Sequence, residues 1–125
     1  MKSTLLTIGG IFQMLIVLLH IGIFYGIASS PDLGADAKVT AHIFNAAVLT
    51  TVIFFAYVSL FRKRDMIGTT FGRIVSGFIA IFYLQRGLVE IFLRGVDPVV
   101  LGFAIVIPPL YAIVAMPSKQ KAEIA

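Results

Sequence analysis

The feature that most limits the fold of this chain is a fourfold alternation of long apolar runs with short polar links. A helix needs roughly 20 predominantly apolar residues to cross the hydrocarbon core of a bilayer. Lipid offers no partner to an unpaired backbone group, so such runs have to be helical. Four stretches qualify: about Leu5–Ala28, Val39–Phe61, Phe71–Leu93 and Pro98–Met116. The first link, "SSPDLGADAK", is a Pro, Gly and Asp loop of the kind that breaks helices, and "RKRDMIGTT" and the tight "RGVDP" are the other two links. Links this short favour antiparallel neighbours, which predicts one all-α domain, a four-helix transmembrane bundle running up-down-up-down.

Composition agrees. Only 13% of the residues are charged and 59% are hydrophobic, with a mean hydropathy of +1.02. A soluble domain carries about 25% charged residues, so this chain lacks the polar surface to face water. Cysteine is absent, which excludes disulfides, thiolate metal sites and thiol nucleophiles. No basic run resembles a nucleic-acid patch, and no nucleophile elbow, HExxH or phosphate loop points to a hydrolase.

The net charge is +4, and its placement predicts orientation. Lys2, Arg62, Lys63, Arg64, Arg73, Lys119 and Lys121 fall on one side of the spans, with only Lys38 and Arg94 on the other. The positive-inside rule then puts both termini and the middle link in the cytoplasm. A cleaved signal peptide is the rival reading of the start, with Lys2 before an apolar run and "GIASS" after it. That run is long for a signal and is interrupted by Gln13 and His20, so the first span is expected to be retained.

Topology gives each polar residue a depth. At about 1.5 Å per residue, His20 and Arg86 lie roughly 12 Å from the outer end and Glu90 about 6 Å from it. His42 and Asn45 fall within the outer ~10 Å of the second span. Arg86 and Glu90 share a helical face with Tyr83, and stripes of this kind face the bundle interior in membranes. The expected site is therefore His20, His42, Asn45, Tyr83, Arg86 and Glu90 in the outer half. The order Arg before Glu is the weaker one for an i, i+4 pair, so partners on other helices are expected. Glu90, nearer the interface, is expected to be partly hydrated, leaving Arg86 with the larger burial cost.

The small residues Gly68, Gly72, Ser76 and Ala80, and the pair Gly22 and Gly26, predict close helix packing, within the chain or between copies. Pro108 and Pro109 predict a kink in the fourth span, with Tyr111 one turn away.

Several functions fit a cluster of this composition. The ion pair could be purely structural, making the chain a subunit of a larger membrane complex. A bundle with polar groups and aromatic neighbours could instead hold an amphiphile, either a quinone or a lipid. Glu90 and His20 are also the residue types of proton-coupled transport. Haem is disfavoured because the estimated depths of His20 and His42 differ by roughly 6–8 Å. A His20, His42 and Glu90 metal site is disfavoured by the cation of Arg86.

One resemblance adds context. His20, then Asn45 and "FAYVSLF" (Phe55–Phe61), then Gly72–Arg73, Arg86 and Glu90 stand in an order that resembles a group of small uncharacterised bacterial four-span membrane proteins. It covers nearly the whole chain and implies an inner-membrane location, with no particular activity. The first span lacks the central glutamate of the small multidrug transporters, and the chain does not resemble the fluoride channels or the haem-anchoring subunits of succinate dehydrogenase. The reading that results is a non-enzymatic membrane protein or accessory subunit, among lipids and open to self-association, binding an amphiphile or partner helix at the polar cluster. No cofactor beyond that amphiphile is expected.

Overall fold

A computed structural model describes residues 1–118, and all secondary structure in them is helical. The long helices are α1 (Lys2–Ser29), α2 (Ala35–Phe61), α4 (Thr70–Arg94) and α5 (Pro98–Ala115), with a short α3 (Lys63–Gly68) between α2 and α4. All four long helices have the length and composition to cross a membrane. They overrun the apolar stretches by one to four residues at most ends, because flanking Lys, Asp and Thr continue the helix into the polar links. Lys119 and Lys121, counted above for orientation, lie outside the described residues.

Each short link has a local cause. Gly95 ends α4 at φ 84°, the one positive φ among the described residues, a conformation that costs glycine nothing. Two residues on, Asp97 Oδ1 accepts from the amides of Val99 and Val100 at 2.8 and 3.1 Å, and Pro98 occupies the first turn of α5. The second link, read as a loop from its sequence, is instead the helix α3. Thr69 then turns extended and its hydroxyl accepts from Gly72 N at 2.9 Å, which starts α4 afresh. This break also removes Gly68 from the supposed small-residue ridge, leaving it on α3.

Lysines tie helix ends together. Lys38 Nζ donates to the Ala28 carbonyl at 3.2 Å, and Lys63 Nζ donates to Thr7 Oγ1 at 2.6 Å, so the start of α2 meets the end of α1 and the start of α3 meets the start of α1. Lys2 Nζ donates to the Val114 carbonyl at 3.2 Å and to that of Met116, bringing the start of α1 to the end of α5. Cations at helix C-termini also offset the unpaired carbonyls there.

α1 packs along α2, α4 along α5, and α1 against α5. α2 meets α4 through aromatic rings: Phe55 has its centroid 6.1 Å from Phe78, 5.2 Å from Phe82 and 6.3 Å from Tyr83. Around Phe55 the core holds Leu6, Ile16, Val52, Ile79, Ile107 and Val114. Leu18, Phe44, Ile74, Ile81 and Phe92 point outward instead. Buried polar groups and an apolar exterior are what lipid selects, since hydrocarbon outside removes the penalty for exposed leucine.

Close approach occurs at particular glycines. A Cβ on Gly9 would lie 2.8 Å from the Tyr111 hydroxyl, and one on Gly10 would lie 2.5 Å from Leu60 Cδ2. Gly72 packs on the backbone of α3, and Gly87 packs on Ala104 of α5. Gly22 and Gly26, by contrast, have nothing within 4 Å. The expectation that this pair packs helices within the chain is therefore corrected: α1 meets α2 and α5 through its other faces. α5 remains helical through Pro108 and Pro109, so the two prolines do not end it.

Candidate functional site

Arg86 and Glu90 form a direct pair at 2.5 Å, and Arg94, one turn on, reaches the other carboxylate oxygen at 3.7 Å. The weaker sequence order does not prevent a self-contained cluster on α4, because a second arginine flanks the carboxylate. The expected distribution of burial is reversed. The Glu90 side chain is 8% exposed and that of Arg86 51%. Depth along the helix misjudged this, since phase decides exposure as much as depth: Glu90 shares the inward stripe with Tyr83 and Gly87, while the longer Arg86 side chain reaches away from it.

A cavity of about 240 Å³ lies beside this pair. Ile16, Leu19, Val48, Val52, Phe82 and Phe103 give it apolar walls drawn from all four long helices. His20, Tyr83, Arg86, Glu90, Arg94 and Asp97 supply polar atoms. Four of the six residues expected from sequence thus share one cavity: His20, Tyr83, Arg86 and Glu90.

The other two do not. His42 lines a separate groove with Phe24, Tyr25, Asn45 and Leu49. Its ring lies 4.6 Å from that of Phe24, and its buried Nδ1 has no hydrogen-bond partner. Asn45 Nδ2 donates to the backbone carbonyl of His20 at 3.0 Å. That bond confirms that the two residues lie at one level, but it makes Asn45 a tie between α1 and α2. Neither the Asn45 nor the His20 side chain is hydrogen-bonded to Glu90: His20 Nδ1 bonds the Ile16 carbonyl of its own helix at 2.9 Å. His20 and His42 therefore face different spaces. Among the described residues, no three of His, Cys, Asp and Glu gather as a metal would require.

Sequence reading missed a buried network just inward of the cavity. The Tyr83 hydroxyl donates to Gln13 Oε1, Gln13 Nε2 donates to the Tyr111 hydroxyl at 3.4 Å, and Tyr111 meets Ser59 Oγ at 2.5 Å. Each of the four long helices contributes one member. Gln13 and Ser59 are fully buried and the two tyrosines nearly so, so these bonds form out of contact with any competing water. Depth along the chain would not have grouped them: measured from the same side, Gln13 and Tyr83 lie roughly 17 and 20 Å from the starts of their helices, but Ser59 and Tyr111 only about 3 and 6 Å from the ends of theirs. As a proton path the chain is interrupted by chemistry, because a proton crossing Gln13 would have to form an imidic acid. Its evident effect is to bind the four helices at one locus.

Four long apolar helices around buried polar groups define the chain as a helical, multi-pass membrane protein. Set against family models, curated proteins and solved structures, it matches none of them.

Proposed function

We propose that this chain is a bacterial inner-membrane protein, up-down-up-down with both termini cytoplasmic, that binds an amphiphile, a quinone or a lipid, without catalysing a reaction. The cavity carries this reading: apolar walls from four helices adjoin a polar end holding Arg86 and Glu90. Its volume of about 240 Å³ is below the ~300–1,000 Å³ of sites that enclose a drug-sized ligand. It therefore suits a head group with the first carbons of a tail, the remainder lying among lipids. Arg86 supports the same reading. Half its side chain is uncovered, and its guanidinium has five N–H donors, more than Glu90 uses.

Protein purified in mild detergent tests this by native mass spectrometry and organic extraction. An amphiphile is expected to co-purify at about one per chain. It should be lost from Arg86→Ala and from the cavity-filling Val48→Phe, both retaining wild-type helix content. Retention at wild-type stoichiometry in both folded variants would refute the reading.

A further inference from the structure

The fold sets the hydrogen-bonding polarity of the cavity wall. A carbonyl can only accept, so His20 Nδ1, bonded to the Ile16 carbonyl, carries the ring proton. Neutral His20 is then left with Nε2 as an acceptor. The Tyr83 proton is committed to Gln13 Oε1, so its oxygen offers only lone pairs. Ala104 adds a third acceptor from an unrelated cause. The residue four positions on is Pro108, which has no N–H, so the Ala104 carbonyl lacks its helical donor. All three residues line the cavity.

Donors belong to the same lining. Arg86 uses part of its fork on Glu90 and has N–H groups to spare. Glu90 itself is held between Arg86 and Arg94, which removes it as a counter-ion for a cationic guest.

We infer that the cavity selects an uncharged amphiphile headed by a hydroxyl, which donates its one proton to this acceptor wall, at His20 Nε2, and accepts from Arg86. This rests on the amphiphile-binding reading and narrows it. A keto or ether head only accepts, so it would satisfy Arg86 and leave His20 Nε2 unpaired, an asymmetry that sites built on buried polar groups convert into discrimination. The phenolic head of a quinol and the free hydroxyl of a diacylglycerol share this chemistry.

The test is equilibrium binding to the purified full chain in nanodiscs, using 4-decylphenol against its methyl ether. The phenol should bind roughly tenfold more tightly, the effect of one hydrogen bond. His20→Phe should shrink that ratio, and it spares the Asn45 tie, which uses the backbone of residue 20. Decyl-benzoquinol under argon, decyl-benzoquinone and dioctanoylglycerol then separate the sources: the hydroxyl head that displaces decylphenol at the lower concentration identifies the guest. Equal binding of phenol and ether, or tighter binding of quinone than quinol, overturns hydroxyl selectivity while leaving amphiphile binding intact. Binding of none of these probes, with no co-purifying amphiphile, overturns both.

Discussion

Glu90 shows how a charge is accommodated in this bundle. Its carboxylate is almost covered, and the cost of covering it is offset by Arg86 at 2.5 Å and by the more distant Arg94. Unequal exposure predicts unequal mutants. Arg86→Leu strands a buried carboxylate and should cost about 1–3 kcal/mol, whereas Glu90→Leu leaves guanidiniums whose long stems can carry the charge toward the interface and should cost less. Unfolding of both variants in mixed micelles would measure the order, and a costlier Glu90→Leu would contradict it. Gln13 is the comparable neutral case. Gln13→Leu removes the link between Tyr83 and Tyr111; Tyr111 keeps Ser59, and the orphaned buried hydroxyl of Tyr83 predicts a loss of about 1–3 kcal/mol by the same measurement.

Among the helices, glycines divide by what they touch. Gly87→Val would force α4 from Ala104 of α5, an overpacking that typically costs about 1–3 kcal/mol and that also borders the cavity. Gly22→Leu with Gly26→Leu meets nothing inside the chain and should leave stability unchanged. Any loss of a dimer band in crosslinking would then come from contact between copies. The sequence presented Gly22 and Gly26 as a small-residue motif and did not single out Gly87, because a GxxxG pattern marks a close-approach face without saying what lies opposite. Thr69→Ala removes the cap that starts α4 after α3 and should cost about 1 kcal/mol, read as increased amide exchange at Gly72 and Arg73.

The whole chain contains no cysteine, so single substitutions report sidedness directly. The proposed orientation predicts that Asp32→Cys reacts with a membrane-impermeant maleimide in spheroplasts, while Arg64→Cys reacts only after lysis; the opposite pattern would invert the bundle. The number of long apolar helices, their approximate bounds and the polar stripe on α4 were legible in sequence, because hydropathy, capping residues and helical period are properties of neighbours along the chain. The separation of His42 from His20, the burial of Glu90 rather than Arg86, and the Gln13 network were not. They depend on the rotation of each helix about its own axis, which is decided by packing: Gly9 admitting Tyr111, Gly87 admitting Ala104, and Phe55 filling the space between α2 and α4. The sequence alone determined that this protein belongs among lipids. Which of its polar side chains share a cavity was decided only by the tertiary structure, because contacts between residues far apart in the chain set the facing of each helix.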